Sequence, residues 1–216
     1  MTAMAAALLI AGMVILAFQA EGAAFPDPAV DEPRAPAGTL KRAVLAGGCF
    51  WCTEAVFEHV GGVVKVISGY SGGARETANY EAVSTGRTGH AEAIEITYDA
   101  SKITYGMLLR VFFEIAHDPT QRNRQGPDVG PQYRSAIFAL SPEQKRIAQA
   151  YIQQLEAARV FPRKIVTEVN DFKAFYEAEG YHQDYCARNP ANRYIQLNAQ
   201  PKVDKLKVRR PELLKK

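Results

Sequence analysis

Three cysteines, Cys49, Cys52 and Cys186, carry the most reactive side chains in this 216-residue chain. Cys49 and Cys52 form a C-x-x-C, and two thiols at that spacing can oxidise together. Their filler, Phe50-Trp51, is bulky for a simple dithiol exchanger; two aromatics beside a nucleophile make an apolar slot able to grip a small methyl group. If Cys49 opens a helix, the unpaired backbone N–H groups and the helix dipole lower its pKa, to about 3.5–7.5 against ~8.5 for a free thiol. The alternative is a small buried side chain that merely packs, with Trp51 as ordinary core. Glu92 stands just after Gly89-His90-Ala91; partly desolvated, its carboxyl would be a proton donor near neutral pH, and otherwise it is a surface glutamate. His182 and Cys186 lie four apart, a spacing that shares one helix face. With Cys49 and Cys52 they would complete a Cys₃His zinc set, but the two halves are far apart in the chain, so no metal is expected.

The elements that must position these groups are readable. Ala43–Ala46 is an apolar run that predicts a buried strand, Gly47-Gly48 a sharp turn, and Ala55, Val56, Phe57 and Val60 the apolar face of a helix beginning near Cys49. Strands are expected at 63–68, 91–98, 132–140 and 164–169, and a short one near Tyr80–Val83 inside a long loop from 75 to 89. Thr104 and Ser141-Pro142 are helix starts; 172–179 and 182–188 are helical candidates, and 121–131 is a polar loop. Strands and helices mix irregularly, which predicts an α/β (α+β) fold: a two-layer sandwich around a central mixed sheet, in one domain.

With 47% hydrophobic and 23% charged residues, the chain suits one globular domain with appendages and is not disordered. A net charge of +3 is too small for a nucleic-acid footprint. Residues 2–18 hold no charge, and Gly22 and Ala24 suit the positions before a cleavage site, so 1–24 is expected to be an export signal or, lacking a basic start, an uncleaved membrane anchor. The protein is then periplasmic or otherwise exported. Residues 25–40 read as a proline-rich flexible linker, 41–200 as the catalytic domain, and 201–216 as a basic solvated tail. An odd cysteine count in a chain of this size argues against a disulfide framework and for a redox-cycling thiol.

Gly48-Cys49-Phe50-Trp51, Gly69-Tyr70-Ser71-Gly72-Gly73, Tyr80, Thr88-Gly89-His90-Ala91-Glu92, His117-Asp118-Pro119, Arg124-Gln125-Gly126, Asp128-Val129-Gly130, Gln132-Tyr133-Arg134-Ser135 and Tyr181-His182-Gln183-Asp184-Tyr185, in this order, closely resemble peptide methionine sulfoxide reductase A over about residues 42–198. The resemblance implies that Cys49 attacks the sulfoxide sulfur and is left as a sulfenic acid. By the same resemblance Glu92 protonates the sulfoxide oxygen, Tyr80 and Tyr133 bind that oxygen, Asp128 helps hold the site, and Phe50 and Trp51 form the methyl slot. It implies action on the S epimer of free or peptidyl methionine sulfoxide, no cofactor, a monomer, and recycling by a thioredoxin-like reductant, here an exported one. Many relatives have Gly where Cys52 stands and carry resolving cysteines in a C-terminal tail. This tail has none beyond Cys186, so Cys186 is expected to resolve, with Cys52 as its close rival. A thioredoxin-like oxidoreductase and a zinc module are the other classes weighed; neither accounts for Glu92 and the tyrosines.

Overall fold

The computed structural model describes residues 25–216; the expected signal or anchor, 1–24, lies outside them. Its frame is a six-stranded sheet with the order β7-β6-β1-β3-β2-β8. The strands are β1 (Leu40–Gly47), β2 (Val63–Ser71), β3 (Ala91–Asp99), β6 (Ser135–Ala139), β7 (Glu168–Asp171) and β8 (Phe175–Glu177). Pairings are antiparallel except β6 with β7, so the sheet is mixed. A separate two-stranded ladder joins β4 (Arg124–Gln125) to β5 (Asp128–Val129) inside the 121–131 loop.

β1 is buried on both faces, which is why its sequence is continuously apolar rather than alternating. Ala43 and Leu45 join the main core with Ile94, Ile96 and Tyr98 of β3, while Val44 and Ala46 join a smaller cluster with Ala93, Ala136 and Phe138. Helices α1 (Phe50–Glu58), α3 (Tyr105–Val111), α4 (Pro142–Ala157) and α7 (Gln200–Arg209) contribute to the main core. Phe172 and Phe175 pack on the smaller cluster. Thr104 and Ser141 cap α3 and α4 through side-chain oxygens that accept from Met107 and Gln144 N–H. α3 runs on into a π-helical turn, Phe112–Ala116.

Several expectations are corrected. Tyr80–Ser84 is a short helix, α2, capped by Asn79, not a strand. Residues 172–179 hold β8, not a helix, because Phe175 to Glu177 find an open edge on β2. His182 precedes α5 (Tyr185–Arg188), and Asp184 takes a left-handed conformation, so His182 and Cys186 do not share a helix face.

The chain ends differ most from expectation. The stretch read as a flexible linker lies along the domain: Asp31 accepts from Gly106 N, Glu32 from Tyr98 Oη, and Pro26 O from Tyr151 Oη. Read as a solvated tail, residues 201–216 instead form most of α7, whose Val203 and Leu206 are buried, and a closing turn in which Leu214 bridges to Val60. α6 (Arg193–Asn198), for which no expectation was formed, precedes it.

Candidate active site

Cys49 sits where β1 ends and α1 begins, as the helix N-cap. Between them Gly48 has φ +90°, and a Cβ there would come within 2.4 Å of Gln125 Cβ, so only glycine permits the turn. Gln125 is itself locked, accepting from Asp118 N and donating to Asp118 O. The His117-Asp118 motif therefore supports the turn through Gln125. His117, hydrogen-bonded to Phe112 O and Ser135 Oγ, is kept neutral by burial, which pushes its pKa down to about 3.

Register brings the acid to the thiol. Leu45 pairs with Ile94, so the next positions along the two antiparallel strands set Glu92 beside the glycine turn. There Glu92, 3% exposed, accepts a 3.0 Å hydrogen bond from Phe50 N. On the other flank Gly47 pairs with Ser135, and Tyr133 lies just before it, at the end of a 3₁₀ turn. Cys49, Phe50, Trp51, Tyr80, Glu92, Asp128, Tyr133 and Tyr194 line one pocket of about 220 Å³. The structure thus brings together every expected member of the catalytic and substrate set.

Burial, then the nearby Cys49 and Asp128, raise the Glu92 pKa well above the carboxylate range. Tyr80 and Tyr133, raised first by burial and then by Glu92, remain phenols able to donate. Glu179 fixes Tyr80 by accepting from its backbone N–H, and also accepts from Tyr70 Oη. Trp51 stacks on Tyr185 at 3.8 Å and donates its indole N–H to His182 Nδ1 at 3.2 Å. That use of His182 replaces the zinc role weighed for it. Among the described residues no group of three or more His, Cys, Asp or Glu could hold a metal ion.

The thiols correct the expectation of a lowered Cys49. Cys49 is not lowered: burial, then its hydrogen bond with Cys52, raise it well above the usual thiol range. Three first-turn donors are spent elsewhere, Phe50 N on Glu92 and the Cys52 and Thr53 N–H on Cys49's own carbonyl, and the N-cap side chain makes no capping hydrogen bond. Cys52, by contrast, is lowered, first by the hydrogen bond from Cys49 and, against its own burial, by Lys202. The two candidates for the resolving thiol, Cys186 and Cys52, have different surroundings, and Cys186 is the more tightly held. Its Sγ donates to Trp51 O at 3.2 Å, and burial pushes its pKa up to about 12, whereas Cys52 lines a small cavity together with Cys49.

Tyr194 and Lys202 escaped the sequence reading. Tyr194 donates to Asp128 Oδ2 and stands 4.0 Å from Cys52 Sγ. Both lie beyond the last recognisable motif, and the available signal was Pro201 followed by Val203 and Leu206 at helical spacing.

The family model for peptide methionine sulfoxide reductase matches residues 41–213. Peptide methionine sulfoxide reductase MsrA 2 of Synechocystis is 56% identical, covering 88% of this chain and 90% of its own. MsrA 2 of Mesorhizobium japonicum is also 56% identical, over 85% of this chain and 93% of its own. Among solved structures, methionine sulfoxide reductase A of Corynebacterium diphtheriae matches with a TM-score of 0.63 and 34% identity, over 77% of this chain and 87% of that one. With the thiol, the buried acid and the aromatic slot in one pocket, and with these relatives spanning nearly the whole described chain, the protein belongs to the MsrA family of peptide methionine sulfoxide reductases, enzymes that return methionine sulfoxide to methionine.

Proposed function

We propose that the chain reduces the S epimer of free or peptidyl methionine sulfoxide through a Cys49 sulfenic acid. The observation that carries this reading is the raised, buried Glu92 within the pocket that Cys49 opens into. Sulfoxide oxygen leaves only once protonated, so a neutral carboxylic acid and a nucleophilic sulfur must stand on either side of the same S–O bond. The substrate methyl lies against Phe50 and Trp51, and the oxygen faces Tyr80, Tyr133 and Glu92. Cys49 gives up its proton, and its Sγ attacks the sulfoxide sulfur as Glu92 protonates the oxygen. The oxygen ends on Sγ as a sulfenic acid, and methionine leaves as the thioether. Asp128 acts through Tyr194, which it orients beside the thiols.

Cys52 then resolves the sulfenic acid as a Cys49–Cys52 disulfide, and Cys186 is the alternative. Positions three apart at a helix start have Cβ atoms about 5–6 Å apart, and a disulfide needs roughly 3.5–4.5 Å. Cys49, the N-cap residue outside the helical conformation, must close that gap for the disulfide to form. A thioredoxin-like dithiol returns the pair to the reduced state by exchange. The uncharged run at 2–18 supports export, hence a reductant outside the cytosol. The test is turnover with separate S and R epimers and dithiothreitol. Methionine from the S epimer alone, abolished in Cys49→Ser, is the expected result; turnover of the R epimer, or activity surviving in Cys49→Ser, overturns the reading.

A further inference from the structure

Cys49 is shared by two cavities. Besides the substrate pocket, a smaller one of about 50 Å³ behind it is lined by Cys49, Cys52, the 125–128 ladder, Tyr194, Asn198 and Lys202. Cys52 opens into this second cavity and is not among the residues lining the first. Its walls come partly from α6 and α7, the C-terminal elements that wrap the helix start. Lys202 lies in the first turn of α7, near the positive end of that helix's dipole, where a cation is disfavoured. Its charge is therefore of no service to its own helix. It is half-buried, and it acts electrostatically on Cys52 and on Asp128.

We infer that Lys202 is a positioning residue for the recycling half of the reaction: α7 presents its positive charge to Cys52 and so favours attack by that thiol on the Cys49 sulfenic acid. The inference rests on Cys52 being the resolving thiol. In the step, Cys52 releases its proton to solvent and its sulfur bonds to Cys49 Sγ as the S–O bond breaks. The departing hydroxide takes a proton from solvent and leaves as water, so one sulfenic acid and one thiol become one disulfide and one water. The titratable groups facing Cys52 are Cys49, Cys186, Tyr194 and Lys202, with Asp128 beside Tyr194. Lys202 is the cation among them, so its removal shifts the titration of Cys52 upward.

The experiment is a single turnover of the whole protein with one equivalent of S-sulfoxide and no reductant, from pH 6 to 9. Samples are quenched for methionine, for free thiols and for mass mapping of the disulfide. In Lys202→Met, disulfide formation below the Cys52 pKa is expected to slow by about threefold for each unit that pKa rises, because lost thiolate is partly offset by greater nucleophilicity. At high pH the deficit closes, and Lys202→Arg restores the wild-type profile. A defect of packing would instead slow the step equally at every pH, and that result, or an unchanged profile, overturns the inference. Alkylation of Cys52 in the resting enzyme across the same pH range gives its midpoint without turnover, and an unshifted midpoint in Lys202→Met equally overturns it. Cys52→Ser separates the two readings: if Cys49 still forms an intramolecular disulfide as fast as in the wild type, the resolving assignment itself falls.

Discussion

The end of the sheet that carries Cys49, Glu92 and Tyr133 and the two described ends of the chain are held by different forces. At the sheet end, backbone geometry does the placing: a glycine turn admitting no Cβ, a register that slides Glu92 beside it, and a neighbouring strand that brings Tyr133. The chain ends are held by side-chain contacts together with a few backbone bridges, such as Lys215 N to His59 O and Ala35 N to Ala100 O. Gln154 accepts from Ala29 N and donates to Asp27 O. On the other end, Arg210 makes two hydrogen bonds to Glu114, at 2.7 and 2.9 Å, and Arg110 approaches the same carboxylate. The difference teaches a division of labour. The sheet end sets where the reacting atoms are, and the C-terminal wrap, through Tyr194 and Lys202, sets the electrostatic surroundings of the thiols.

The largest effect should come from the sheet end. Glu92→Gln keeps the size and the acceptor for Phe50 N but removes the transferable proton, so methionine release in a single turnover should fall by about 10²–10⁴-fold. The fold, read by its unfolding midpoint, should hold. A loss under tenfold would move the acid elsewhere and dissolve the contrast between the regions. The wrap answers in the opposite currency. Glu114→Ala removes the carboxylate that Arg210 hydrogen-bonds and Arg110 approaches, leaving Arg110 with Asp27 and the half-buried Arg210 with Glu212, at a cost of about 1–3 kcal/mol in urea unfolding, while kcat per folded molecule stays close to wild type. Equal stability in this variant would show that the C-terminal segment is only loosely attached.

This contrast also explains what could be read in advance. A turn that only glycine tolerates and a buried strand are local facts, so Gly47-Gly48 and Ala43–Ala46 declared themselves in sequence, whereas Glu92 alone read equally as a surface glutamate and was singled out by the run of motifs around it. The depressed Cys49 pKa expected from the helix start did not survive, because whether N–H groups reach the sulfur depends on Glu92, a distant residue that claims one of them. The linker and the tail were misjudged for a related reason. Asp31 and Arg210 look solvated in isolation, and their partners, Gly106 and Glu114, lie far along the chain. Phe172 to Glu179 failed through competition: an open edge on β2 offered hydrogen bonds that a short helix could not match.

The smallest effect tests the seam between the two regions. Glu54, on α1, is 1% exposed, and neither carboxylate oxygen has a hydrogen-bond partner among the described residues. It faces Asp184 and Tyr185, where the C-terminal wrap begins, and burial raises its pKa to about 7; Glu58 beside it is raised to about 8, again chiefly by burial. A carboxyl whose folded pKa lies above its unfolded value, ~4.3, binds more protons in the native state. Its contribution is complete below the unfolded value and is lost as pH rises through 7. Stability should therefore fall between about pH 5 and 7, and Glu54→Gln should remove up to about 1.4 kcal/mol per pH unit of that slope. His117, under the glycine turn, works with the opposite sign. Held neutral and down at about 3, it contributes stability that is present above its unfolded value of ~6.5 and is lost as pH falls toward 3. Urea midpoints at pH 5, 6 and 7 in wild type and Glu54→Gln separate the two. An unchanged slope would mean that Glu54 is ionised and paired at the seam, and the wrap would then be bound to α1 by charge rather than by a neutral, buried acid.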